Sequence, residues 1–434
     1  MATPSGASAV TAPAVVPVPL QTVRTGAVTM AAGLVLLGLS GGVYLAVSAR
    51  AVGPVAFASL STLWTLVYTF GIGAFLPFEQ ELGRAFAARS ARGAGTGPLV
   101  GKVALASAGV LALLLAAGLL LSPLLASGLF SGGWTPLGVL ALALAVMAAG
   151  YVTRGIYAGS TRFGWYSAQL GVEGVVRMAV CAVLLGLGVH TVGPYLWLLA
   201  LAPLAALPLT LPGLRGALRP GPPASWSELS ANLGWLLLAG TAAQAVANAA
   251  LVVLQPLSGR DGTAGRFLAA FVIARIPLFL FQGVQAVLLP GLSAALAAGD
   301  HAAFRAKLRG VLAATGAVAL GGVLAAAALG PVAVRLAFGD GFDLGRGHLV
   351  VLAAATGLYM LAQVFQAGLV ALRRHRDNAL CWSAAFGVFA AVCLVPLPAL
   401  ARVEAALTLS CAAAAVLLAA RLLTRRENLT DGEK

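Results

Sequence analysis

The sequence predicts an all-α polytopic membrane protein, and three observations carry that prediction. Apolar side chains make up 60% of the 434 residues and charged ones only 9%, with a mean hydropathy of +0.96. A soluble domain carries roughly a quarter of its residues as charges. Apolar runs of about 20 residues, enough for a helix to cross about 30 Å of hydrocarbon, recur along the whole chain. Finally, basic residues are abundant in alternate loops and sparse in the others, as expected of loops on opposite sides of a membrane.

Runs bounded by charge, Gly or Pro define about twelve spans. The first, 26–48, follows Arg24 and ends near Arg50, and the second, 55–78, closes on Pro77. Next comes 100–121, after a loop with Arg84, Arg89, Arg92 and Lys102. Spans 136–157 and 166–188 form a hairpin whose turn holds Arg162, and 193–213 ends before Arg215 and Arg219. The second series is 231–255, 267–290, 309–330, 348–371, 379–400 and 403–422. Basic clusters Arg305, Lys307, Arg309 and Arg373, Arg374, Arg376 mark two of its turns.

This arrangement puts eighteen Lys and Arg on one side, six on the other and three inside. The positive-inside rule then places both termini in the cytoplasm and the chain in the cell (cytoplasmic) membrane. The net charge of +14 is accounted for by this asymmetry, so nucleic acid is not an expected partner. Residues 1–24, uncharged up to Arg24, read as a disordered tail. They are not a signal peptide, because the apolar run after Arg24 is too long for one. Cys181, Cys381, Cys393 and Cys411 fall inside spans without metal-like spacing and read as packing residues, and the four histidines sit at loops or helix ends. No metal site or cofactor is expected.

The chain divides into 25–213 and 231–423, six spans each, joined by a linker at 214–230 and followed by a tail at 424–434. Pro220, Pro222 and Pro223 break any helix in the linker, and Ser225 or Ser227 is available to cap the next one. RAVGPVAFASLSTLWTLVYTFGIGAFLP from Arg50 aligns loosely with RDGTAGRFLAAFVIARIPLFLFQGVQAVLLP from Arg260. An even number of spans per copy relates the two by an axis along the membrane normal, with a central cavity between them.

Charges inside the spans are costly and point to function. Arg154 and Glu173 lie equally far from the turn at 161–165 and are expected to pair; Glu173 and Arg177 are i,i+4 in the favourable order. Two readings are open for this trio: a network that holds helices together, or a guanidinium facing a watery cavity and gripping phosphate. Arg275, Gln282 and Gln285 share one face of the eighth span; Thr241, Gln244, Asn248 and Gln255 form a stripe on the seventh; Gln363 and Gln366 are an i,i+3 pair on the tenth. Those amides either bond between helices or line a cavity for sugar hydroxyls. Arg275, close to Pro277 and without a neighbouring acid in sequence, is the sharper candidate. Glu79 and Glu81 read as part of a solvated amphipathic segment, and Asp340 and Asp343 as turn residues. There is no phosphate-cradling P-loop, so any transport is not expected to be ATP-driven by this chain itself.

ARAVGPVAFASLSTLW, RGIYAGSTRFGWYSAQL, ARIPLFLFQGVQAVLLP and LAFGDGFDLG, in that order, resemble the polysaccharide flippases of the multidrug/oligosaccharidyl-lipid/polysaccharide exporter superfamily. The resemblance implies two six-helix lobes in a V-shaped MATE-like fold. It also implies alternating access and movement of a polyprenyl-pyrophosphate-linked oligosaccharide to the outer leaflet for cell-surface polysaccharide synthesis. Arg154, Arg177 and Arg275 match the cavity arginines thought to meet pyrophosphate, with Glu173 beside them. Gln244, Asn248, Gln282, Gln363 and Gln366 would contact sugar. Membrane lipids, a polysaccharide polymerase and glycosyltransferases are the implied partners, and a coupling ion, H+ or Na+, is left open. The chain lacks the extra pair of spans of lipid II flippases. The alternatives are a cation-coupled multidrug antiporter of the same superfamily, an integral membrane glycosyltransferase or acyltransferase, and a non-transporting scaffold.

Overall fold

The computed structural model of the chain describes residues 20–229, 233–258, 261–278 and 298–423, with Phe281, Leu288, 291–293 and 295–296 between the last two. Among the described residues all regular structure is helical. The first helix, α1 (Leu20–Ala91), is broken at Gly53, whose φ of 75° is open to glycine and strained for other residues. Pro54 follows and cannot donate to the preceding turn. The two arms, 20–52 and 54–91, supply the first two expected spans.

After it come α2 (Gly97–Leu120), the short α3 (Ser122–Leu129), α4 (Thr135–Gly159), α5 (Phe163–Gly186) and α6 (Val192–Thr210). Beyond the linker lie α7 (Leu233–Leu257), α8 (Thr263–Ala274), α9 (His301–Phe338), α10 (Arg346–Ala371), α11 (His375–Cys393) and α12 (Ala399–Leu423). Nine of the described helices are long and apolar enough to cross a membrane, α1 counting once for its two arms. This is a multi-pass membrane protein. Of the remaining expected spans, 379–400 falls on α11, and 267–290 begins on α8, with the rest of it largely outside the described residues.

One expectation is corrected at α9. The helix starts eight residues before the expected span at 309, because Asp300 caps it by accepting from the Ala303 amide at 2.7 Å. Over 38 residues it reaches about 57 Å. A second correction concerns the linker. Ser225 caps the 3-10 turn Trp226–Glu228, with Glu228 returning the bond to the Ser225 amide.

Packing follows the glycines. The second arm of α1 presses on α4, where a Cβ on Gly155 would stand 3.0 Å from the Glu79 carbonyl oxygen and one on Gly159 2.8 Å from that of Gly83. The first arm packs on α5 through Gly33 against Ser167 and Ser40 against Gly174. Small residues on both sides let backbones approach where lipid supplies no hydrophobic driving force. In the second group, α10 packs on α8, α9 and α12, and α11 on α7 and α12.

The groups meet at two levels. Toward the end that carries the linker, a Cβ on Gly73 would lie 2.9 Å from the Thr241 Cα and one on Gly240 2.9 Å from the Gly73 oxygen. At the other end, Gly262 and Gly265 abut Pro54, and the rings of Phe57, Phe338 and Phe342 cluster. There Arg50 donates to the last carbonyls of α9, from Nε to Ala337 at 2.8 Å and from Nη2 to Leu336, where a cation suits the helix terminus. The linker is tied back to α1: buried Arg89 grips both Glu228 oxygens at 2.6 and 2.7 Å and also donates to the Gly95 and Pro222 carbonyls.

Candidate functional site

Two polar clusters occupy the interior. In the first, Arg154 donates through Nε to Glu79 Oε2 at 2.8 Å, and the Tyr166 hydroxyl donates to Glu79 Oε1 at 2.7 Å. The Arg154 guanidinium also lies 4.0 Å from the centre of the Tyr151 ring. Arg177 donates through Nη2 to Glu173 Oε1 at 2.5 Å and through Nη1 to Ser40 Oγ at 3.4 Å, beneath Trp64. It is 1% exposed, and its Nε has no acceptor.

The expected pair of Arg154 with Glu173 is therefore replaced by Arg154 with Glu79. The equal-depth argument assumed that α4 and α5 face each other directly. Instead α1 lies against both, its second arm on α4 and its first arm on α5. The glycine approach at Gly155 brings the Glu79 turn onto α4 and makes it the nearer acid. The solvated reading of Glu79 and Glu81 is corrected with it: they are 7% and 4% exposed, and Glu81 accepts from Arg84 Nη2 at 2.5 Å and Nε at 3.1 Å.

The second cluster forms around Arg275. Pro277 interrupts α8, so the helix ends at Ala274 and Arg275 stands at the break. Its Nη1 donates to Asn248 Oδ1 at 3.0 Å and its Nη2 to the Ala247 carbonyl at 2.5 Å, while the Phe271 ring covers one face at 3.9 Å. Asn248 in turn donates to Gln244 Oε1 at 3.1 Å. Tyr359 is the neighbouring hydroxyl, accepting from Gln363 Nε2 at 2.7 Å. No carboxylate among the described residues pairs with Arg275.

The cluster thus gathers Arg275, Gln244, Asn248 and Gln363. Gln366 lies apart in role, accepting from Trp382 Nε1 at 2.5 Å and so joining α10 to α11. Gln282 and Gln285 lie outside the described residues. Sequence reasoning missed Glu79, Tyr166, Phe271 and Tyr359 as cluster members. Phe271 sits four residues before Arg275 on the same helical face, the one signal that was available.

His348, one of the histidines at a helix end, has its Nδ1 2.8 Å from the buried Glu404 Oε1. Asp343 accepts from the Gly345 amide at 2.9 Å, a turn role. No group of three or more His, Cys, Asp or Glu side chains among the described residues is placed to hold a metal.

No family model matches the chain. It is 28% identical over 295 residues to an uncharacterized protein of Mycobacterium tuberculosis and 27% identical over 293 residues to one of Mycobacterium bovis. In each case the match covers 66% of this chain and 66% of the relative's length. Among solved structures, an inward-facing MATE family transporter of the MOP superfamily superposes with a TM-score of 0.66 at 14% identity, covering 98% of both chains. An outward-facing MATE transporter of that superfamily gives 0.68 at 13%, covering 95% of this chain and 97% of its own. A Vibrio cholerae MATE transporter gives 0.64 at 14%, with the same coverage. The chain has the MATE fold, all-helical among the described residues and multi-pass. At such identities the similarity lies in helix order and packing, not in side chains.

Proposed function

We propose that the protein is a flippase that carries a lipid-linked oligosaccharide across the cytoplasmic membrane by alternating access, with both termini cytoplasmic. One observation carries this reading. Of the three arginines inside the spans, Arg154 and Arg177 are matched by carboxylates, and Arg275 is not. An uncompensated guanidinium held at a helix break beside amides suits an anionic headgroup followed by sugar hydroxyls. Glycosyltransferases that build the glycan and a polymerase that consumes it are the proposed partners.

The multidrug antiporter reading shares the fold and requires the opposite charge to be free. A cationic drug would need a buried carboxylate; Glu79 and Glu173 are both engaged by arginine, and the buried Glu404 lies against His348. Complementation of a deletion strain's surface polysaccharide tests the proposal. Arg275→Gln is expected to abolish the polysaccharide at normal membrane expression, with lipid-linked precursor accumulating on the cytoplasmic side. Wild-type polysaccharide from that variant, with altered resistance to cationic drugs, would favour the antiporter.

A further inference from the structure

We infer that the anionic group handled at Arg275 carries a single negative charge: a phosphodiester joining sugar to lipid, rather than the pyrophosphate that family resemblance implies. The inference rests on the flippase reading and narrows its substrate.

Arg154 lies against Glu79 at 2.8 Å and Arg177 against Glu173 at 2.5 Å, each of the four 8% exposed or less. These two pairs are neutral as units. The segment 279–290, most of it outside the described residues, contains no ionisable side chain in its sequence. Arg275, with no carboxylate partner among the described residues, therefore leaves its own cluster with one uncompensated positive charge.

A phosphodiester carries one negative charge near neutral pH and a pyrophosphate diester carries two. The first balances Arg275. The second leaves a net negative charge at a half-buried site, where an uncompensated ion is less well solvated than in water and so carries a cost. Recruiting Arg154 or Arg177 to balance it strands Glu79 or Glu173, which only moves the uncompensated charge elsewhere.

The donors agree with the count. A guanidinium has five N–H groups, of which Asn248 and the Ala247 carbonyl take two. The three that remain suffice for a bidentate grip on a single phosphate. With Phe271 over one face of the guanidinium, a ligand is left the plane or the opposite face. Tyr359, whose oxygen accepts from Gln363, keeps its own proton to donate. As a neutral group it could donate without adding charge.

The test uses the full-length protein in proteoliposomes with two fluorescent probes of equal chain length, a short-chain isoprenyl phosphate–hexose and the corresponding isoprenyl pyrophosphate–hexose. The expected result is that the monophosphate binds at least tenfold tighter and flips faster, and that Arg275→Gln abolishes both. Glu173→Gln, which leaves Arg177 uncompensated, is expected to shift preference toward the pyrophosphate probe; the wild-type comparison stands alone if that variant does not fold. Equal or tighter binding of the pyrophosphate, still lost in Arg275→Gln, overturns the single-charge inference and leaves the flippase reading intact. Failure to bind either probe, or binding of both that ignores Arg275→Gln, overturns the flippase reading together with the inference.

Discussion

Removing either member of the Arg154 and Glu79 pair leaves the other charged and buried. Their geometry at 2.8 Å, reinforced by the Tyr166 hydroxyl, makes the pair tolerable in a low-dielectric interior, and breaking it on one side costs about 3–5 kcal/mol. Arg154→Gln and Glu79→Gln are each expected to lower the thermal midpoint in detergent markedly, while the double variant recovers most of the loss. Equal midpoints for both single variants and wild type would mean that the pair is solvated. Arg275→Gln should behave differently: it removes an uncompensated charge, so function is lost with little change in midpoint. At this scale the sequence disclosed which residues were unusual. It did not disclose their partners, because Glu79 lies 75 residues from Arg154 and the contact depends on how α1 is wedged between α4 and α5.

The linker between the two helix groups is organised by Glu228. Arg89 and the Ser225 amide hold its carboxyl below the usual carboxylate range, outweighing the effect of burial. A carboxyl lowered in this way contributes stability that is present above its unfolded value of about 4.3 and fades as pH falls through the folded value. Protection of residues 215–229 from limited proteolysis should therefore be constant from about pH 7 to 5 and decline below about pH 4. Glu228→Gln should show the weakened protection at every pH. A wild-type profile that declines near pH 6 would point to histidine instead. The prolines of this linker were legible as helix breakers, but its attachment to α1 was not. Arg89 reads in sequence as one more basic loop residue, and only burial to 3% exposure sets it apart from Arg92.

Across the molecule, the two groups touch near both ends, through Gly73 and Gly240 at the linker end and through Arg50, Pro54 and Gly265 at the other. The proposed alternating access would require these contacts to open in turn. Arg50→Ala removes bonds to the terminal carbonyls of α9 and should loosen only its own end. A cysteine placed at Ser59 is expected to react several-fold faster with a membrane-impermeant maleimide in that background, and one at Gln244 to be unchanged. An equal increase at both positions would indicate general unfolding.

That the chain crosses a membrane many times, and that Arg154, Glu173, Arg177 and Arg275 fall inside apolar runs, was determined by the sequence alone, because hydropathy and charge placement are local quantities set by the cost of moving each residue into hydrocarbon. Which arginines are spent on carboxylates and which one is left free was decided only by tertiary structure. That choice follows from glycine-mediated approach of α1 to α4 and from the break in α8 at Pro277, and hence from the relative placement of helices far apart in the chain.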